Sequence, residues 1–248
     1  LTIALVTTIV STLTAQAQSQ TVDPLAVQTL KRMTDYLAGL KQFSVHTQNT
    51  LEDQLDSGQR IDFDIGSNVV VSRPNKVHSE RTGEVIHQDF YYDGKTMTLY
   101  SPTDRLDALQ PAPGPIEEVL DYVREELDLV FPVSDLIYRN VFAILMENVT
   151  SAVVVGQTNI GGVTCDHLAF RRPDVDFQVW VAADKRQPLP CKYVVTDTST
   201  PELISTVSVM SDWNLAPAVT DADFEFVAPN GARAITGTSL GDSFNFDR

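Results

Sequence analysis

The stretch Phe90–Ser101, FYYDGKTMTLYS, decides the fold of this 248-residue chain. The pair Asp93-Gly94 fits a two-residue type I′ turn, so we expect an antiparallel hairpin in which Phe90 faces Met97. Such a hairpin gathers its apolar side chains on one face of the sheet, namely Phe90, Tyr92, Met97 and Leu99. The opposite face is mainly polar, which is typical of a sheet that is covered on one side only.

A helical insert follows this hairpin. The connector Gln110–Pro115, QPAPGP, is stiff, and beyond it apolar residues recur at helical spacing from Ile116 until Pro132 ends the pattern. Ser134 is a suitable N-cap for a second, short helix. Because β-rich runs flank the insert on both sides, we expect helices at about 115–146 that cover a sheet. That architecture suits a container better than a catalytic scaffold.

The rest of the chain reads as one further helix and many strands. Pro24 opens an amphipathic helix that ends near Gly39. Period-two patterns predict the remaining strands, at about 43–51, 61–71, 149–158, 162–171, 176–182, 189–197, 204–213 and 223–227. No linker composition divides the chain. We therefore expect a linker at 18–23, a single domain over 24–231 and a loose tail at 232–248.

Composition limits the partners of the protein. The formal net charge is -15, and the basic residues are scattered without forming a stripe. Such a chain repels phosphate backbones, which argues against nucleic acid and against anionic membrane surfaces as partners. With 43% apolar residues the chain can bury one substantial core without a metal or a disulfide.

Residues 1–17, LTIALVTTIVSTLTAQA, have the character of a signal peptide. They carry no charge and end in the small-x-small pattern Ala15-Gln16-Ala17. Because the initiating Met and the basic region are missing, we expect this start to be incomplete. The run is too short and too rich in Thr to be a transmembrane helix, so we expect an exported protein that does not span a membrane.

No set of residues assembles into a catalytic site. Gly237–Gly241, GTSLG, matches the nucleophile-elbow pattern, but a hydrolase needs an acid and then a His after the Ser, and the last His is His167. The four histidines show no metal-ligand spacing, and the paired carboxylates fit solvated strand faces. We therefore predict no enzyme, no cofactor and no metal.

Cys165 and Cys191 are the only two cysteines. An exported protein permits a disulfide between them. If their strands flank a middle strand, however, the cysteines stand two inter-strand spacings apart, about 9.6 Å, and bridging requires less than about 7 Å. On this geometry we expect the pair to remain unbridged.

Several segments resemble a known family. The strings YYDGKTMTLY, PAPGPIEEVLDYV, GGVTCDHLAFR, FQVWV, PLPCKYVV and FEFVAPNGA resemble an uncharacterised family of predicted periplasmic proteins that shares the fold of the lipoprotein carriers (LolA and LolB-like proteins). The resemblance covers about residues 24–236. It implies a mainly β (α+β) fold, a strongly curved antiparallel half-barrel of about 10–11 strands. An N-terminal helix and a helical lid would cover its concave face.

The resemblance also implies a pocket for acyl chains between the sheet and the lid. The side chains expected to line it are Phe63, Ile65, Val71, Phe90, Tyr92, Met97, Leu99, Leu120, Val123, Leu127, Leu136, Ile137, Trp180 and Trp213. The alternative is that the same side chains pack solidly, and composition alone does not separate the two outcomes.

Two functions are consistent with this pattern. The first is a periplasmic binding or carrier protein that holds a hydrophobic small molecule or lipid. The second is an envelope sensor or regulatory module that uses the same fold to dock a protein partner.

Overall fold

The computed structural model describes residues 21–127, 129 and 131–235. In this part of the chain twelve strands form a single curved sheet that is open and not closed into a barrel. The predicted fold class is confirmed. The predicted signal peptide, the Gly237–Gly241 motif and residues 236–248 of the predicted tail lie outside the described residues.

The strands follow one another as two antiparallel meanders. The first meander contains β1 (Gln42–Gln54), β2 (Arg60–Ser72), β3 (Lys76–Gly83), β4 (His87–Tyr92), β5 (Thr96–Ser101) and β6 (Leu106–Pro111). The second contains β7 (Ser151–Ile160), β8 (Val163–Arg171), β9 (Val175–Ala182), β10 (Pro190–Asp197) and β11 (Ser205–Asn214). A short strand, β12 (Arg233–Ile235), runs parallel to β6.

The two meanders join where β1 pairs with β11, so the strand order is β12-β6-β5-β4-β3-β2-β1-β11-β10-β9-β8-β7. This order places β6 beside one edge of the sheet and β7 at the other. The chain between them must therefore cross the whole width of the sheet. It does so as α2 (Ile116–Glu126), a 3₁₀ turn (Ser134–Ile137) and α3 (Val141–Met146).

The helix α1 (Pro24–Gly39) covers the second meander. It begins at Pro24, as the sequence predicts, and Asp23 caps it by accepting a hydrogen bond from the backbone N–H of Leu25. Its buried face includes Leu30, Met33 and Leu37, and the helix contacts β7, β8, β9 and α3. Together α1 and the crossing segment cover the concave face, where the main hydrophobic cluster lies.

The predicted hairpin is present, but its register is different. Phe90 pairs with Leu99 instead of Met97. The carboxylate of Asp93 accepts hydrogen bonds from the backbone N–H groups of Lys95 and Thr96, both at 2.8 Å, which moves the turn one residue along the chain. Gly94 takes the left-handed conformation in this turn, with φ of 93°. Since the register moves by two, the four apolar side chains still share one face and are all buried.

Three strands escape the sequence patterns, and one predicted strand is absent. β3 has an almost entirely polar sequence, KVHSERTG, and β6 runs into the predicted connector with its last two residues, Gln110 and Pro111. β12 lies in the stretch predicted to be a loose tail. The predicted strand at 223–227 is wrong, because a capping box on Thr220 and Asp223 folds Asp221–Phe224 into a 3₁₀ turn instead.

The expectation that the cysteines stay unbridged is also wrong. Cys165 and Cys191 form a disulfide with a Cα–Cα distance of 7.0 Å. Cys165 pairs with Ala182, the small last residue of β9, and the β9–β10 register shifts between Pro190 and Lys192, where Cys191 sits. Such an irregularity bends a strand and increases its twist, which brings the flanking strands closer together than regular spacing allows.

We predict that the double variant Cys165→Ala/Cys191→Ala unfolds with a free energy lower than that of the wild type by about 2–4 kcal/mol, because its unfolded chain is no longer cross-linked. Urea denaturation measures this difference. Dithiothreitol should lower the stability of the wild type to the level of the variant and leave the variant unchanged. An equal response of both proteins to reductant would contradict the bridge.

Candidate functional site

The concave face holds a small cavity under the crossing segment. Residues 131–137, here called the lid segment, form its roof, and strands β1, β2, β3, β4 and β11 form its floor. The cavity measures about 50 Å³. This is room for a few water molecules but not for an alkyl chain. The lid segment therefore lies close against the sheet.

The floor of the cavity has an apolar end and a polar end. The apolar end contains Phe43, Val45, Val69, Val77, Phe90 and Trp213, and Met210 lies beside Thr47. The polar end follows a row of partners across four neighbouring strands, in which Thr47 pairs with Ser67, Ser67 with Arg81 and Arg81 with Gln88. Thr47, Ser67 and Arg81 line the cavity. The site is thus amphipathic, with apolar and polar walls side by side.

Arg81 is a buried cation without an acidic partner in the described residues. Its residue is only 4% exposed. Nη1 donates to Oε1 of Gln88 at 3.2 Å, and the guanidinium lies 4.7 Å from the ring centroid of Phe131 in the lid segment. Nε and Nη2 have no hydrogen-bond partner. Burial lowers the pKa of Arg81 to about 10, so the group keeps its charge at neutral pH.

The lid segment is held to the sheet through side chains. Its backbone hydrogen bonds in the described residues are local, for example from Ser134 N–H to Phe131 and from Leu136 N–H to Val133. The Phe131 ring packs on Phe90 with ring centroids 5.4 Å apart. Val133 takes a left-handed conformation with φ of 60°, which a β-branched residue adopts only at a cost of about 1–3 kcal/mol. A segment held in this way can lift without breaking the sheet.

A second cavity of about 200 Å³ lies on the far side of the same segment. Phe131, Pro132, Val133 and Ser134 border both cavities, and Tyr193 and Val195 of β10 form the far wall. Asp135 of the lid segment also borders this cavity; burial raises its pKa, and the charge of Arg124 offsets part of the effect. Movement of the lid segment would join both cavities along a path from β3 to β10. That path crosses four inter-strand spacings, about 19 Å.

A family model matches most of the chain in sequence. The model of a family of predicted periplasmic proteins, DUF2092, matches residues 26–236. The chain belongs to the DUF2092 family. The family assignment places the protein in the periplasm and confirms the resemblance seen in the sequence. No curated protein matches the chain in sequence.

Two solved structures share the fold of this DUF2092 protein at low identity, and a third is more distantly similar. An uncharacterised conserved protein from Thermus thermophilus is 10% identical with a TM-score of 0.50, and the match covers 86% of this chain and 99% of that one. LprF from Mycobacterium bovis is 15% identical with a TM-score of 0.50, covering 87% and 100%. A LolA superfamily protein from Nitrosomonas europaea is 10% identical with a TM-score of 0.38, covering 81% and 97%.

The structure of the DUF2092 chain separates the predicted lining residues into groups. Five border the cavity next to Arg81, namely Phe90, Leu120, Leu136, Ile137 and Trp213. Six belong to the surrounding buried cluster and border neither of the two cavities, namely Val71, Tyr92, Met97, Leu99, Val123 and Leu127. Ile65 is fully buried on the cavity side of β2, beyond Ser67, and Phe63 follows it as a half-buried residue.

The placement of Trp180 in the pocket needs correction. Phe177, Val179 and Val181 point into the main cluster, so strand alternation turns Trp180 to the opposite face of β9. There Trp180 stacks on His167 with ring centroids 3.9 Å apart, and the ammonium group of Lys192 lies over its ring. Trp180 is 8% exposed and packs against the disulfide.

Arg81 is not among the site residues that the sequence of the DUF2092 chain predicts. The residue lies on β3, whose polar sequence did not register as a strand after Pro74. A signal was present, because Val77, Ser79 and Arg81 alternate with more polar neighbours, and period two from Val77 places Arg81 on the buried face. None of the described residues forms a cluster of three or more metal-binding side chains. None of the described helices is long and apolar enough to cross a membrane.

We predict that Arg81→Met increases the free energy of unfolding by about 1–3 kcal/mol, because the substitution removes a buried charge whose N–H groups are incompletely paired. The gain is reduced by loss of the contact with Phe131. Urea denaturation at pH 7 measures it. The matched control Arg171→Met removes an exposed guanidinium that pairs with Asp176. This control should lower stability by about 1 kcal/mol or less.

The same difference depends on pH in a defined direction. The pKa of Arg81 is lower in the folded state than in the unfolded state, so the folded protein bears the cost of the charge at every pH below about 10. As pH rises through about 10, Arg81 loses its proton in the folded state first, and the stability deficit of the wild type against Arg81→Met should narrow. A deficit that widens with pH would contradict this assignment.

Proposed function

We propose that this protein binds a hydrophobic ligand, a lipid or another molecule with an alkyl chain, between its concave sheet and the lid segment. The observation that carries the proposal is the apolar cavity whose roof is attached through side chains while its floor is a continuous sheet. Ligand entry would lift the lid segment and join the two cavities. The reaction is binding and release, with no bond made or broken.

The free energy of binding favours a molecule with an alkyl chain. Burial of each CH₂ group contributes about 0.8 kcal/mol. The contacts of residues 131–137 with the sheet must be given up, but the left-handed strain at Val133 is relieved as the segment moves. A chain of moderate length therefore offsets the cost of opening without a specific hydrogen bond, which agrees with the mostly apolar cavity wall.

A second candidate is docking of a protein partner at the sheet edge. β7 is the edge strand, and its ten residues contain no charge. Val153 and Val155 are 41% and 56% exposed, whereas charged residues usually protect such edges. Backbone groups of β7 beyond Ala152 could pair with an added strand. This candidate would be supported if the chain bound no apolar ligand but bound a strand-forming partner at β7.

We predict that the emission of Trp213 reports ligand entry. The chain has two tryptophans, one in the cavity wall and one on the opposite face of the sheet. In Trp180→Phe, titration with the uncharged ligand 1-dodecanol should change the emission of Trp213, because an alkyl chain replaces water and the lid segment beside the indole ring. In the matched variant Trp213→Phe, the emission of Trp180 should stay constant. A response from Trp180 alone would place the ligand elsewhere.

We predict that filling the cavity blocks binding. Ser79 is buried in the cavity floor between Val69 and Phe90. Ser79→Leu should reduce the affinity for the fluorescent probe N-phenyl-1-naphthylamine at least tenfold, since the added side chain occupies the floor. Thr82→Leu, on the exposed face of the same strand, is the control and should bind as the wild type does.

Overpacking at Ser79 could lower stability, so thermal unfolding of each variant should accompany the titration. If Ser79→Leu does not fold, Ser67→Val in the same floor replaces it. Equal probe affinity in the wild type and in a folded, cavity-filled variant would overturn the proposal that the ligand binds in this cavity.

A further inference from the structure

We propose that the ligand of this cavity is an amphiphile with a carboxylate head, such as a long-chain fatty acid, and that Arg81 binds the carboxylate. The inference rests on the function proposed above and narrows it from hydrophobic molecules in general to anionic ones. It depends on how the guanidinium of Arg81 is placed, on which of its atoms are unpartnered, and on what lies beside it.

The free edge of Arg81 has the shape of a carboxylate site. Nη1 is engaged by Gln88, which leaves Nε and Nη2 unpartnered on the same edge of the guanidinium. Arg171 of the same protein uses this same pair of atoms to hold Asp176, with Nε 2.8 Å from Oδ1 and Nη2 2.6 Å from Oδ2. Two parallel hydrogen bonds of this type are the strong, bidentate mode of Arg–carboxylate pairing. Arg81 presents that mode, and no acid among the described residues fills it.

Arg81 has no acidic partner in the part of the chain that the structure describes. None of the described residues that line the cavity is acidic, and Arg81 is its only charged wall residue. Glu80 precedes Arg81 in sequence, and Asp89 follows Gln88 on β4. Because side chains alternate along a strand, both carboxylates lie on the opposite face of the sheet. A buried charge without a partner is costly to the folded protein. A ligand with a negative charge would pair with Arg81 and remove this unfavourable free energy, so the ligand would bind more tightly.

The remainder of the cavity fits the other end of such a molecule. Ser67 and then Thr47 follow Arg81 along the polar row. The next rows of the sheet hold Val45, Val69 and Phe90, then Phe43 and Val77. A carboxylate at Arg81 would thus leave its alkyl chain on apolar floor under the lid segment. Phe131 lies over the guanidinium and must move for the head group to enter. Binding of the head group therefore requires the lid segment to open.

The overall charge of the protein favours this ligand over polyanions. At -15 the molecule repels highly charged anions at long range. A single carboxylate on an apolar chain meets little of this repulsion, because chain burial provides most of the affinity and one local cation provides the selectivity.

The test compares cis-parinaric acid with methyl cis-parinarate, which share the fluorescent chain and differ in the charge of the head. At pH 7.5 we expect the wild type to bind the acid at least tenfold more tightly than the ester. Arg81→Met should reduce this ratio to about one, and the ratio of the two affinities, measured on each variant, is the readout. Arg81→Lys, which keeps the charge but lacks the fork, should give an intermediate ratio. Arg171→Met should keep the wild-type ratio.

The outcomes separate the two proposals. Equal affinity of the wild type for acid and ester would overturn the role of Arg81 and leave apolar binding intact. A preference for the acid that survives in Arg81→Met would place the carboxylate elsewhere, for instance at Arg124 in the second cavity. Failure of the wild type to bind either probe would refute the proposed function itself. Far-ultraviolet circular dichroism of each variant confirms that the compared proteins are folded.

Discussion

The pairing of β1 with β11 is the contact on which the rest of the molecule depends. It joins two meanders into one sheet, and it thereby sends β6 and β7 to opposite ends of the strand order. A chain that must pass from one end to the other has to cross a face of the sheet, and the apolar concave face is where crossing buries the most surface. The helical cover is therefore a consequence of strand order, and the cavity is what remains where cover and sheet do not meet.

The cavity combines features that are costly to the folded protein. Among the described residues, the guanidinium of Arg81 is buried without an acid in the floor, and Val133 holds a left-handed conformation in the roof. Groups of this kind persist where the surrounding structure over-determines them, and they collect at functional sites. Both groups lie in one cavity, under a segment whose described backbone hydrogen bonds are local.

The sequence was informative where side chains repeat with a clear period. The limits of α1, the apolar stripe of α2 and the shared face of Phe90 and Leu99 all follow from local pattern and held in the structure. The fold class followed from the resemblance to a family. The register of the hairpin and the candidate site could not be predicted in this way, because they depend on single residues that break the pattern. The Asp93 carboxylate moved the hairpin turn. The sequence pattern did not predict β3, because Arg81 is a charged residue at a buried position.

The disulfide has a consequence for the life of the chain before it reaches the periplasm. Bond formation needs an oxidising compartment, and the cytoplasm keeps thiols reduced. The cross-link between β8 and β10 would then close only after translocation, and until that moment the second meander lacks its covalent brace. A chain that is easier to unravel at the site of synthesis and firmer at its destination is well matched to secretion machinery that threads extended polypeptide.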